Sequence, residues 1–268
     1  RGIFIPNAKD QPTLKEVYRE RSDTEELVGW NFHVTLRETF DYNRYPMDRH
    51  QIRLRMWHPD FERNVFLTPD FSSYTSTVPS SMPGVDTGLV LEDWDLLTSF
   101  FSFRTYTQNS DFGASTYAGN RVHPELYYSI VVRRQLISPL IARGITPLVT
   151  LITIFVLVTV LSKDDKRREK FGVTPGSVTI VGTGFLFAVL LSHNAMRDSV
   201  KATGILYLGY LYIITYVAIL GVVLDAVLVV GRPNLRLFRH HDNLIVRLLF
   251  WPLITTAILA ATVVTFLT

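Results

Sequence analysis

Four long stretches without a charged side chain limit what this chain can fold into. Residues 144–162, 171–196, 202–224 and 248–268 contain no Asp, Glu, Lys or Arg and run for 19, 26, 23 and 21 residues. About 20 apolar residues suffice to cross the hydrocarbon core of a bilayer as a helix. The pattern predicts four transmembrane helices packed as a bundle and excludes a purely soluble enzyme.

The half of the chain before these stretches has the sequence pattern of β-strands. Apolar and polar residues alternate with a period of two, which is typical of a strand with one buried face. The strand-like runs lie at residues 30–36, 52–56, 100–107 and 127–132. A loop rich in Ser, Thr, Pro and Gly at 72–88 separates two of them. We therefore expect an antiparallel β-sandwich of the immunoglobulin type over residues 1–137, followed by a four-helix membrane domain over residues 138–268.

Charge predicts the orientation of the chain in the membrane, because basic residues are retained on the cytoplasmic side. The connector 163–170 has five Lys or Arg and the segment 232–247 has four Arg, whereas the connector between the second and third stretches has only Arg197 and Lys201. The first and third connectors are therefore expected inside the cell. The N-terminal domain and the C-terminus are expected outside the cytoplasm.

Several classes of site are excluded or disfavoured by the sequence. The chain has no cysteine, which excludes disulfides and Cys-ligated metal sites. It has no phosphate-binding Gly-rich loop, no His-Glu-x-x-His helix and no Gly-x-Ser-x-Gly elbow, so no catalysis is predicted. No required cofactor and no nucleic-acid partner are expected.

The segment 40–48 reads Phe-Asp-Tyr-Asn-Arg-Tyr-Pro-Met-Asp. It resembles the aromatic-Pro-x-Asp loop of pentameric ligand-gated ion channels, the Cys-loop receptor superfamily. Glu38 and Ile52 stand where animal receptors carry the disulfide that closes this loop, which is similar to the cysteine-free prokaryotic members. Arg133 and Arg134 resemble the arginine that precedes the first membrane helix of the family, and the four helices follow in the family's order.

The chain also departs from the family's pattern. Family extracellular domains have roughly ten strands, yet only about forty residues precede the proline loop. We expect the opening strands, with some ligand-site loops, to be missing from this piece of the protein. Gln135 stands where many members have proline.

The resemblance implies a homopentamer in the inner membrane of a prokaryote, with the second helix of each subunit lining an ion pore. Only the second stretch has a stripe of small and polar residues at steps of three or four. Its large members near the outer end would form a hydrophobic constriction. The alternative is that the small residues only let helices pack closely. The stripe consists of Gly172, Gly176, Thr179, Thr183, Phe187, Leu190 and Asn194.

Two further roles follow from the resemblance. Glu169 lies where cation-conducting relatives have a carboxylate at the inner mouth, and five copies would select permeant cations. The alternative is a solvated loop charge paired with its basic neighbours. The gating interface between the two domains is expected to comprise Tyr45, Pro46, Met47, Asp48, Arg133, Arg197 and Lys201.

Binding of an unidentified small ligand is expected where family members have aromatic cages. The candidates are Trp57, Phe61, Tyr106 and Tyr117, with core packing as the alternative for each. Asp60, Glu62 and Asp70 offer hard oxygen ligands for Ca²⁺ as a modulator, although no calcium-loop motif joins them.

The rival interpretation is a membrane-anchored binding or sensor protein without a pore, whose helices only tether the external domain among membrane lipids. It explains the β domain and the topology equally well. It does not explain a Gly/Thr stripe confined to one helix.

Overall fold

The architecture comes from a computed structural model that describes residues 2–59, 65–107, 122–161, 171–201, 204–231 and 244–267. Backbone contacts divide the chain into two compact units. The strand unit comprises Arg1–Phe40 and Arg49–Arg134, and the helix unit comprises Asp41–Asp48 and Gln135–Thr268. The proline loop therefore belongs with the helices, although strands precede and follow it in the sequence.

The strand unit contains two small antiparallel sheets. Strands β1 (Lys15–Arg21) and β2 (Glu26–Asn31) form a hairpin. Strands β3 (Arg49–Met56), β4 (Trp94–Thr107) and β5 (Val122–Arg134) form a second sheet in the order β3-β5-β4. These strands contain three of the predicted runs, which confirms a β domain ahead of the helices.

The fourth predicted run, residues 30–36, is wrong as a continuous strand. Strand β2 ends at Asn31, which pairs with Lys15 at the start of β1, so no residue of β1 remains opposite the following residues. The amide of Lys9 instead donates to the carbonyl of Thr35 at 2.7 Å, and Leu36 forms an isolated bridge. Burial still alternates along residues 31–37. The alternation of apolar and polar residues therefore predicts which side of this segment is buried, but not which backbone groups it pairs with.

The helix unit contains four helices that are long and apolar enough to cross a membrane. They are α1 (Ile137–Val160), α2 (Pro175–Val200), α3 (Tyr207–Gly231) and α4 (Leu244–Leu267). This confirms the prediction of a multi-pass membrane protein. Helix α1 contains a π-helical segment, Leu140–Gly144, so that Arg143 lies inside the helix.

The core of this unit lies where α3 packs against the other three helices. Tyr212 and Ile219 of α3 are fully buried, together with Ile154 of α1 and Met196 of α2. Helix α4 is tied to α1 by Arg247, whose guanidinium donates to the carbonyl of Leu161 at 2.8 Å. A cation there also complements the negative end of the α1 dipole.

Candidate functional site

Helix α2 has one buried face and one exposed face. The buried face comprises Val178, Gly182, Val189, Met196 and Val200. All members of the predicted stripe that lie on the helix are exposed, and their steps of three or four residues place them on one side. These residues, called the α2 stripe below, are Gly176, Thr179, Thr183, Phe187, Leu190 and Asn194.

The helix starts later than the stripe predicted from the sequence. Thr174 and Ser177 form a reciprocal capping box: the Ser177 amide donates to Thr174 Oγ1 at 3.1 Å and the Thr174 amide donates to Ser177 Oγ at 2.8 Å. Pro175 occupies the first turn, where its missing N–H costs nothing. Gly172 precedes this cap with a φ of 64° and is not helical. Glu169 lies outside the described residues.

The glycines of α2 distinguish packing positions from open positions. A Cβ atom added at Gly182 would lie 2.6 Å from Val223 Cγ2, so this glycine allows α2 and α3 to approach closely. A Cβ atom at Gly176 would meet nothing nearer than 3.8 Å, and one at Gly184 nothing within 4 Å. Close packing within the chain therefore explains Gly182 but not Gly176 of the α2 stripe.

The threonines of the stripe are satisfied within their own helix. Thr179 Oγ1 donates to the carbonyl of Pro175 and Thr183 Oγ1 donates to the carbonyl of Thr179, both at 2.9 Å. The hydroxyl protons are used in these bonds, whereas the oxygen lone pairs remain available as acceptors. An exposed row of such oxygens can accept hydrogen bonds from the water molecules that hydrate a cation.

The proline loop, Asp41–Asp48, is hydrogen bonded to the start of α3. The amide of Tyr207 donates to the carbonyl of Asn43 at 2.8 Å, and the amide of Leu208 donates to the carbonyl of Tyr45 at 3.2 Å. The first amides of a helix have no partner inside the helix. The loop therefore acts as the N-terminal cap of α3, directly after the linker that follows α2.

Side chains strengthen this attachment. Tyr45 is 3% exposed and belongs to the buried cluster of the helix unit. The Arg44 guanidinium lies 5.5 Å from the centre of the Phe266 ring near the end of α4. The hydroxyls of Tyr207 and Thr262 are hydrogen bonded at 2.9 Å. A displacement of the loop would therefore act on both α3 and α4.

The charged residues predicted at the gating interface lie in three different elements: the proline loop, strand β5 and the end of α2. Asp48 is buried, with 1% exposure. In the strand unit, Arg133 Nη2 donates to Asp95 Oδ2 at 3.1 Å. Arg197 is exposed in the last turn of α2, three residues after Asn194, so it continues the α2 stripe. Lys201 is exposed directly after the helix, which it ends with a φ of 52°.

A polar cluster that the sequence analysis missed joins α2 to α3. Ser192 Oγ and Tyr212 Oη are 2.8 Å apart, and His193 Nδ1 lies 3.2 Å from Tyr216 Oη. The rings of His193 and Tyr212 stack with centres 4.9 Å apart, and the Tyr212 hydroxyl donates to the carbonyl of Arg143. The available signal was a histidine inside an apolar stretch, since ionisable groups in membrane helices usually face protein partners.

The ligand-site candidates are only partly covered by the described residues. Trp57 is half-buried, exchanges two backbone hydrogen bonds with Phe4 and packs against its ring at 6.0 Å. Tyr106 lies on β4 opposite His123. Phe61 and Tyr117 lie outside the described residues.

The calcium candidates are likewise divided. Asp70 caps a 3₁₀ turn, Phe71–Ser73, and its carboxylate accepts from the hydroxyls of Ser72 and Ser73, both at 2.5 Å. These hydrogen bonds lower the pKa of Asp70, and the bond from the Ser72 hydroxyl contributes most. Asp60 and Glu62 lie outside the described residues, and among the residues that are described no three His, Asp or Glu side chains gather as a metal site.

No protein-family model matches this sequence, and no curated protein does either. The function is therefore inferred from the residues and their geometry.

Proposed function

We propose that this chain is one subunit of a homopentameric ligand-gated ion channel, a prokaryotic cysteine-free member of the Cys-loop receptor superfamily. The observation that carries the proposal is the α2 stripe, which is small and polar at its inner end and exposed along its length. A helix face with these properties suits a water-filled path better than contact with lipid.

A pentamer supplies the wall that one subunit lacks. Four helices of one chain have too little surface to enclose an ion path, whereas five copies of α2 around a common axis turn their stripes towards each other. Phe187 and Leu190 would then form rings that close the path by excluding water, and Glu169 would place carboxylates at the inner mouth to favour cations.

The signal would enter through the extracytoplasmic domain. In this proposal the strand unit belongs to an immunoglobulin-type sandwich that binds a small ligand, with Ca²⁺ as a modulator. The strand unit and the C-terminus both lie on the outer side of the inner membrane. The proline loop caps α3 beside the linker from α2, which is the contact that would pass a change in the strand unit to the pore helix. The two states need to differ by only a few kcal/mol for a ligand to shift their populations.

Single-channel recording of the purified full-length protein in a planar bilayer tests the proposal. Because the chain has no cysteine, Thr183→Cys introduces a single thiol on the stripe. Ala188→Cys places one on a different exposed side of the same helix. A cationic thiol reagent is expected to block unitary currents in the first variant and to leave the second unchanged.

Two outcomes would count against the proposal. If the protein gives no unitary currents at any potential, the result favours the alternative, a membrane-anchored sensor without a pore. If both cysteine variants respond equally to the reagent, the protein conducts, but the α2 stripe does not line the path.

A further inference from the structure

Leu89 and Val90 form an exposed apolar tip on the strand unit. Val90 is 86% exposed and Leu89 is 45% exposed. Two hydrogen-bonded turns frame them: the Leu89 amide donates to the carbonyl of Asp86 at 3.1 Å, and the Trp94 amide donates to the carbonyl of Leu91 at 3.4 Å. The tip is therefore held by the backbone while its side chains project into solvent, an arrangement that burial in the subunit does not explain.

This tip lies at the end of the sheet that continues into the first membrane helix. Trp94, which starts β4, pairs in register with Arg134, which ends β5. Helix α1 begins at Ile137, so the Cα atoms of Arg134 and Ile137 are at most about 11 Å apart along the chain. A helix of 24 residues is about 36 Å long and exceeds the hydrocarbon core of about 30 Å, which brings its first residues to the headgroup level.

The residues beside the tip suit that depth. Tryptophan is enriched where membranes meet water, and the Arg134 guanidinium lies 4.2 Å from the centre of the Trp94 ring. Glu92 and Asp93 are exposed directly after the tip. Their carboxylates must stay among the hydrated headgroups, which limits insertion to the headgroup region and disfavours anionic lipids.

We propose that residues 89–91, with Trp94, form a membrane-contact tip that inserts shallowly into a leaflet of zwitterionic glycerophospholipids. The tip anchors the strand unit to the bilayer surface directly, in addition to the covalent link through residues 135–136. This inference does not depend on the chain forming a pore.

Site-specific fluorescence of the full-length protein in vesicles tests the tip. Val90→Cys introduces the only thiol, which is labelled with a polarity-sensitive fluorophore. Thr105→Cys is the control, because Thr105 is exposed on the same strand, β4, about 36 Å from Trp94 along the strand. The vesicles are phosphatidylethanolamine and phosphatidylcholine with a nitroxide either near the headgroup or deep in the acyl chain.

The label at position 90 is expected to emit at shorter wavelength than the label at position 105 and to be quenched by the shallow nitroxide more than by the deep one. Replacing part of the lipid with phosphatidylglycerol is expected to reduce the quenching. Quenching at position 90 no greater than at position 105 would overturn the proposal. A blue-shifted emission that neither nitroxide quenches would overturn it too, because the tip would then be covered by protein. Leu89→Cys repeats the measurement at a second position.

Discussion

At the scale of single residues, the strand unit depends on one buried carboxylate. Glu125 is fully buried on β5 and accepts from both Nε (3.0 Å) and Nη2 (2.8 Å) of Arg55 on β3. It also accepts from the Tyr127 hydroxyl at 2.7 Å. Burial first, and then this hydrogen bond, raise the pKa of Tyr127. The cluster therefore joins two strands through a carboxylate that water does not reach.

Removing that carboxylate is expected to destabilise the strand unit. Glu125→Ala leaves the Arg55 guanidinium and the Tyr127 hydroxyl without their acceptor. We expect the free energy of unfolding to fall by about 3 kcal/mol, the lower end for a broken buried ion pair, because water reaches part of Arg55. The measurement is the urea midpoint of the full-length protein in detergent, followed by tryptophan fluorescence. Glu16→Ala is the control, since its pair with Arg19 is exposed and is expected to leave the midpoint unchanged. Equal midpoints for the two variants would show that the buried pair contributes little.

At the scale of helices, Gly182 allows α2 to lie in close contact with α3. Gly182→Ala would place its Cβ atom 2.6 Å from Cγ2 of Val223. A β-branched valine in a helix has one strongly preferred rotamer and cannot turn away. We expect the substitution to lower the free energy of unfolding by about 1–3 kcal/mol, as in other overpacked cores.

Gly184→Ala is the matched control, because nothing lies within 4 Å of its added Cβ atom. It is expected to be neutral or stabilising by up to about 1 kcal/mol, from helix propensity. Thermal midpoints of both variants in the same detergent make the comparison. A Gly182→Ala protein as stable as the Gly184→Ala protein would mean that α2 and α3 are not held at this distance.

The proposed constriction is also formed by residues of one helix. Phe187 is 62% exposed on the α2 stripe, whereas Val181, 38% exposed, is at no step of three or four residues from a stripe residue and lies on another side of the helix. Phe187→Ala is expected to widen and hydrate the constriction, raising the basal current in planar-bilayer recording without ligand. Val181→Ala removes an apolar side chain away from the stripe and is expected to leave the basal current as it was. Unchanged leak in the first variant would place the gate elsewhere.

The elements differ in how far the sequence predicts them. Charge-free length predicts all four long apolar helices of the described residues, because crossing a bilayer requires such a length. The cap at Thr174 corrects the start of α2. Alternation predicts the burial of residues 31–37 but not their pairing, since backbone partners come from the distant residues 7–9. The α2 stripe depends only on residue spacing within one helix, so the sequence predicts it. The cluster of His193 with α3 depends on how two helices pack, so the sequence does not predict it.

At the scale of the whole molecule, the single chain leaves much apolar helix surface uncovered. Ile180 of α2 is 75% exposed beside the polar stripe, and Ile137 of α1 is 73% exposed. Lipid can cover these apolar residues, whereas the proposal turns the polar α2 stripe towards water on a pentamer axis. Native mass spectrometry in mild detergent with retained lipid is expected to show five copies. Monomers alone under those conditions would contradict the pentamer.

In the proposed pentamer, ion selectivity depends on how charges are distributed along the pore. Glu169 would add five carboxylates at the inner mouth, whereas Arg197 on the α2 stripe and Lys201 directly after the helix would place basic rings at the outer end. Charges around a narrow aqueous path add, because walls of low dielectric constant focus their field. The inner ring is expected to set the sign of selectivity, and the outer rings are expected to limit how many cations arrive.

Two substitutions separate these roles. Glu169→Gln is expected to lower conductance and to move the reversal potential, measured under an asymmetric salt gradient, towards the anion side. Arg197→Gln is expected to raise cation conductance, and more so at low ionic strength, where charges are screened least. Glu20→Gln removes an exposed carboxylate from β1 of the strand unit; it is the control and is expected to change neither quantity. An unshifted reversal potential in Glu169→Gln would make Glu169 a solvated loop charge, and selection would then lie with the oxygens of Thr179 and Thr183.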